Sequence, residues 1–214
     1  PEAVVISSFD PVRREIAKQT LERLMEDGRV HPGRIEEVVD KVKQDLTQTI
    51  RTDGEKAAFE LGLVGLHPAV IQLIGSMKYR LDASQNLYQH SIEVAHIAGL
   101  LAAEIGEDVA MAKRAGLLHD LGKCIDHHVE GNVAFAGAEY ARRHGEKDQI
   151  VHAIRAMGHG EEPKTALAHI LIAAKAFAVS RPGANRQVIQ NFIRRLEDLE
   201  SIGNSFDGVV RTFA

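Results

Sequence analysis

From Gly54 onward, apolar residues recur every three or four positions, which is the spacing of α-helices that each bury one face. Turn-forming residues such as His67-Pro68 and Arg181-Pro182-Gly183 separate the helical stretches. Residues 54–201 are therefore expected to be all-α, with no sheet. The pattern predicts helices over residues 54–62, 68–78, 84–105, 108–121, 132–145, 148–157, 164–180 and 186–201.

The N-terminal part of the chain shows two other patterns. Residues 3–7 are a short β-branched run typical of a strand, and Asp10-Pro11 then begins a helix that should end at Gly28. One strand and one helix cannot close a sheet, so residues 1–28 are interpreted as the end of a truncated α/β unit. In residues 29–53, an apolar stripe predicts a long amphipathic helix. This helix would serve as a connector or as a dimer contact, or it would pack against its own domain.

The length, charge and cysteine content of the chain limit the classes of protein to which it can belong. A chain of 214 residues with 44% hydrophobic residues is long and apolar enough for one ample core. The net charge of −4 argues against a generally basic surface for nucleic acid. A single cysteine, Cys124, rules out an internal disulfide and fits a reducing, cytoplasmic compartment. No run approaches the roughly 20 apolar residues of a membrane span, so no membrane contact is expected from this segment.

The most informative stretch is the His119-Asp120 pair, which follows an apolar helix. An imidazole and a carboxylate both suit a divalent cation. Neighbours on one helix point about 100° apart, so these two side chains can converge only at a helix end. Gly122 should break the helix there. His90, on another predicted helix, would supply the third ligand, and the three residues are therefore a candidate metal site.

The chemistry of such a site favours phosphoesters as substrates. A divalent metal held by His90, His119 and Asp120 would polarise a phosphoryl oxygen and lower the pKa of a bound water. Lys123 supplies a compact positive charge that would neutralise a second oxygen. The candidate catalytic residues are therefore His119, Asp120 and Lys123.

Histidine, then His-Asp, then a distant Asp is the ligand order of the HD phosphohydrolase superfamily, and the first three elements are present here. Beyond this signature, several longer stretches are characteristic: Gly65-Leu66-His67-Pro68, Lys78-Tyr79-Arg80, Gln85-Asn86, His90-Ser91-Ile92-Glu93-Val94-Ala95-His96, Ala112-Lys113-Arg114-Ala115-Gly116-Leu117-Leu118-His119-Asp120, Asp126-His127, Val129-Glu130-Gly131 and Ser180-Arg181-Pro182-Gly183-Ala184. Through these stretches, nearly all of residues 28–214 resembles the HD domain of the ribonuclease Y family.

The resemblance implies a bacterial endoribonuclease of mRNA turnover, with RNA as substrate and Mn, Mg or Zn as the metal. It implies a homodimer, contacts with other RNA-decay proteins, and a parent protein anchored to the inner face of the cell membrane. Residues 1–28 would be a remnant of the KH domain, 29–53 a connecting or dimerising helix, and 54–214 the HD domain. Lys123 and Arg181 would bind the substrate.

The departures from the family pattern fall on one predicted pocket. Val133 stands where the family has a histidine, and Met157-Gly158-His159-Gly160 replaces its His-His-Gly. Counting back from Arg181, the position of the closing ligand Asp is Lys175. An inward Lys175 would put an ammonium where a cation would sit, or would pair with Asp120, so that no metal is bound in this chain.

Two functions remain open at this point. The first is a metal-dependent phosphodiesterase with relaxed ligation. The second is a catalytically impaired HD module that acts in dimerisation or in binding RNA or a nucleotide. A small-nucleotide phosphohydrolase is a third, weaker idea.

Overall fold

A computed structural model describes residues 4–28, 31–82, 85–125, 132–158, 161–181, 186–206 and 208–213, with the backbone alone at 186–192. The predicted all-α class is confirmed. A pair of two-residue strands and two short 3₁₀ turns complete the described elements. The helices are α1 (Pro11–Asp27), α2 (Pro32–Leu61), α3 (Pro68–Ser76), α4 (Leu87–Ile105), α5 (Val109–Leu118), α6 (Val133–Arg143), α7 (Asp148–Arg155), α8 (Ala166–Ser180) and α9 (Arg186–Asn204).

The hairpin corrects the expectation that residues 54–201 hold no sheet. Strands β1 (Leu81–Asp82) and β2 (Gln85–Asn86) pair antiparallel immediately before α4. Asn86 caps α4 by accepting hydrogen bonds from the backbone N–H groups of Tyr88 and Gln89. A capping residue has extended backbone, so Asn86 can both end strand β2 and cap the helix. The helix therefore begins at Leu87 rather than at residue 84.

The predicted N-terminal strand is wrong for residues 4–7, while residue 3 lies outside the described part. These residues have no regular structure, because none of the described residues supplies a partner strand. The predicted helix after them is confirmed. Asp10 accepts a hydrogen bond from Val12 N–H at 2.8 Å, and the helix ends at Gly28 with φ of 66°.

α2 is one continuous helix where two were predicted. Gly54 does not break it, because the glycine is a packing residue: a Cβ there would lie 2.0 Å from the carbonyl oxygen of Ile71 on α3. The apolar stripe is covered within the chain, since Val42 is fully buried and Leu24 of α1 belongs to the same buried cluster. The stripe is thus buried by residues of the same chain, part of it by α1. The proposed division at residue 53 falls inside this helix and stays a prediction.

The core that positions the candidate site is formed by α4, α5, α7 and α8, which pack against one another. α4 and α5 approach closely at Gly116, where a Cβ would lie 2.5 Å from the Cα of Ala95. The close crossing brings the first turn of α4, which carries His90, to the end of α5, where His119 and Asp120 follow. Lys175 lies on α8, which packs on both helices.

Candidate metal centre

The His-Asp pair lies at a sharp change of backbone direction. α5 ends at Leu118, and a 3₁₀ turn (Leu121–Cys124) begins directly after Asp120. Gly122 lets this turn press against α6, since a Cβ there would meet the carbonyl oxygen of Val133 at 1.9 Å. The helix end therefore aims both side chains at one place, as the sequence predicted.

The side chains of His90, His119 and Asp120 converge, with one ligand atom from each lying within 4.8 Å of the others. All three are buried. The Nε2 atom of His119 lies 3.2 Å from Asp120 Oδ2, and that of His90 lies 3.9 Å from the same oxygen. The Nδ1 atom of His119 donates to the carbonyl of Gly116 at 2.7 Å. If the ring is neutral, the proton is on Nδ1 and Nε2 carries a lone pair. This is the tautomer that binds a metal through Nε2.

The carboxylate of Asp120 accepts hydrogen bonds from two lysines. Lys175 Nζ donates to Oδ1 at 3.0 Å, so the predicted salt bridge is present. Lys123 Nζ donates to Oδ2 at 2.6 Å and also to Asp82 Oδ2 at 2.5 Å. Asp82, Lys123, Asp120 and Lys175 therefore form one continuous chain of alternating charges.

Burial and these charges set the protonation of the site. Burial alone would raise the pKa of Asp120, but contact with His119, Lys175 and Lys123 holds it well below its usual range. Burial, His119 and the two ammonium groups lower the pKa of His90 to about 4. Burial would lower the pKa of Lys123, yet Asp120 and Asp82 raise it. At neutral pH, Asp120 is thus an anion, Lys123 a cation and His90 neutral.

In this arrangement, a divalent metal would compete with two ammonium groups for the carboxylate of Asp120. Two imidazoles and a carboxylate are a suitable donor set for a borderline cation. Among the described residues, His119 Nε2 is buried without a hydrogen-bond partner, which agrees with that set. Both oxygens of the sole carboxylate, however, are bound by ammonium groups. A metal ion would have to displace at least one of them.

The other residues singled out in the sequence are not among the three converging donors. Arg181 follows α8, is exposed, and donates to Glu93 at 3.0 Å. Val133 is the first residue of α6 and is half exposed, whereas Met157 packs against the core. His159 lies outside the described residues. The roles of Lys123 and Arg181 in substrate binding stay predictions.

Sequence reasoning missed Asp82. In the sequence it is part of a turn signal, Asp82-Ala83-Ser84, between two helical stretches. In the structure it lies on β1 and binds Lys123 across 41 positions of chain. No local pattern signals such a contact, because it depends on how the hairpin folds over the 3₁₀ turn.

Comparison with known proteins adds the family context. The HD domain family matches residues 87–180. Ribonuclease Y of Geobacter metallireducens is 55% identical over all 214 residues of the chain, and ribonuclease Y 1 of Bdellovibrio bacteriovorus is 56% identical over the same length. The chain spans 41% of each of these relatives. No solved structure matches. In the described residues, none of the helices has the length and apolarity needed to cross a bilayer.

Proposed function

Because the chain belongs to the ribonuclease Y family and contains an HD domain, we propose that it is the HD module of an RNA-decay protein in which metal-dependent cleavage is impaired. The module retains the framework of a phosphodiesterase and acts in contacting RNA and in self-association. The observation that carries this proposal is the occupation of both Asp120 oxygens by Lys175 and Lys123. The relatives' name supports RNA as the partner.

The electrostatics explain why the lysines oppose a metal. Asp120 is a single buried negative charge, and two ammonium groups already neutralise it. A further unit charge about 4 Å from an ammonium adds roughly 4 kcal/mol of repulsion at an effective dielectric near 20. Moving a metal ion from water into the buried site also carries a desolvation cost. Both effects lower the affinity for a divalent cation.

A second candidate function is a metal-dependent phosphodiesterase with relaxed ligation. It is supported by the convergence of the three donors and by His119 Nε2, which is buried without a hydrogen-bond partner among the described residues. For this function Lys175 would have to swing out of the site toward solvent. Its side chain is partly exposed, so such a movement needs no rearrangement of α8.

Metal binding separates the two candidates. The chain, purified without chelator, is expected to contain no stoichiometric manganese, zinc or iron by elemental analysis, and calorimetric titration with Mn²⁺ should show no tight site. RNA cleavage in Mn²⁺ should not exceed that of His119→Ala. Stoichiometric metal together with His119-dependent cleavage would establish the second candidate instead.

We also propose a homodimer, as the resemblance implies. Since the α2 stripe is covered within the chain, the exposed apolar side chains of Ile193, Leu199 and Ile202 on α9 support a contact there. Light scattering at micromolar concentration should report the mass of a dimer, and the interface is expected to bury at least about 1,200 Å². Ile193→Glu with Leu199→Glu should give a monomer, whereas Leu100→Glu, an exposed control on α4, should not. A monomeric unmodified chain would contradict the proposal.

The wider context of the parent protein is proposed from the same family. Residues 1–28 are proposed to end a KH domain, although only their helix supports this. The parent protein is proposed to face the cytoplasm from a membrane anchor and to meet other RNA-decay proteins. Fractionating cells that express the tagged parent tests its location, and a wholly soluble protein would contradict the anchor.

A further inference from the structure

A small cavity opens beside the charged chain of the candidate site. It has a volume of about 50 Å³, and its lining consists of Asp82, Gln85, Leu87, His90, Lys123, Lys175 and Val179. A buried water needs about 10–15 Å³ of such volume, so the cavity holds roughly three to five groups of that size. A tetrahedral oxyanion such as a phosphoryl group is of this size, whereas a nucleoside is not.

The cations face this cavity and the central anion does not. Lys123 and Lys175 line it with side chains 23% and 28% exposed, while Asp120 is 5% exposed and lies behind them. An ammonium has three N–H donors, and Lys175 uses one on Asp120. Its remaining donors are available to a group in the cavity.

A second observation points to a ligand. His90 lines the same cavity with its side chain 6% exposed, and its Nδ1 atom has no hydrogen-bond partner among the described residues. A buried polar atom without a partner costs free energy. A hydrogen-bonding ligand that reaches this nitrogen from the cavity would satisfy it.

We propose that this cavity binds the terminal phosphoryl group of a small phosphate monoester or free phosphate, with the ammonium groups of Lys175 and Lys123 in place of a metal ion. The inference rests on the proposed function, because a bound metal would displace Lys175. A terminal group enters a cavity of this size, while an internal phosphodiester would have to bring a nucleoside on each side. The nucleoside of a bound nucleotide stays outside.

Asp82 competes with the ligand. Its carboxylate binds Lys123 at 2.5 Å, lines the cavity and is half exposed. An entering phosphate must displace Asp82 from Lys123 or lie beside it, and like charges repel. Neutralising Asp82 should therefore strengthen binding, whereas neutralising Lys175 should weaken it.

The test is calorimetric titration of the full chain in the presence of chelator, with inorganic phosphate, a nucleoside 5′-monophosphate and the unphosphorylated nucleoside as probes. Lys175→Met should weaken phosphate binding at least about tenfold, the loss expected for one hydrogen bond to a charged group. Asp82→Asn should strengthen it severalfold, and Lys175→Arg should retain it. Lys43→Met is the matched control, because Lys43 is an exposed lysine that pairs with Asp40 on the surface of α2.

The outcomes are decisive in both directions. Lys175-dependent binding of either phosphorylated probe supports the inference, and the probe that binds more tightly identifies free phosphate or nucleotide as the source. Binding of neither probe at millimolar concentration, binding that survives in Lys175→Met, or equal binding of the nucleoside overturns it. Phosphate binding that appears only with added Mn²⁺ and vanishes with chelator shows instead that the proposed function has failed.

Discussion

A Lys175→Asp variant should bind Mn²⁺ at least about a thousandfold more tightly than the unchanged chain. The substitution removes an ammonium whose repulsion of a unit charge at ~4 Å is roughly 4 kcal/mol, which corresponds to about three orders of magnitude in affinity. It also adds a carboxylate on α8, directed at the place where Lys175 Nζ now meets Asp120. RNA cleavage should return in part, because Val133 and Met157 still stand where the family has histidines.

Calorimetric titration with Mn²⁺ measures the effect, and two variants separate its causes. Lys175→Met removes the charge without adding a ligand, so its gain in affinity should be smaller than that of Lys175→Asp. Lys43→Asp changes an exposed lysine far from the cluster in the same way and should leave metal binding unchanged. If Lys175→Asp binds Mn²⁺ no better than the unchanged chain, the lysine does not control the site.

Much of the helical fold was predictable because its signals are local. The helix after Asp10-Pro11 was predicted from a cap, a proline and a closing glycine, and all three have these roles in α1. The convergence of His119 and Asp120 was predictable for a similar reason. Two adjacent side chains can share a target only where a helix ends, and α5 ends at Leu118.

The secondary-structure predictions were wrong where contacts between distant residues outweigh the local sequence pattern. Gly54 was interpreted as a helix start, yet it is the point where α3 crosses α2, and a crossing is invisible in the sequence of one helix. Residues 4–7 have strand-like composition, but a strand needs a partner. The Lys175–Asp120 pair was predictable only through the family resemblance, whereas the contact of Asp82 with Lys123 had no signal at all.

Replacing Arg114 with methionine should destabilise the fold by about 3–5 kcal/mol, the cost of leaving a buried charge without its partner. Arg114, on α5, donates from Nε and Nη2 to Glu146, whose side chain is 1% exposed, at 2.6 and 2.8 Å. It also donates to the carbonyls of Val64 and Gly65 at 2.7 and 3.1 Å. One guanidinium thus joins the loops that follow α2 and α6 to the helix that ends at the candidate site.

Urea unfolding followed by circular dichroism measures this cost, with Arg142→Met as the matched control. Arg142 pairs with Glu139 on the surface of α6 and is 57% exposed, so its loss should cost less than about 1 kcal/mol. Adding Glu146→Gln to Arg114→Met should recover part of the stability, because the buried carboxylate is then neutral. Equal effects of Arg114→Met and Arg142→Met, or no recovery in the double variant, would show that the buried ion pair does not hold these loops.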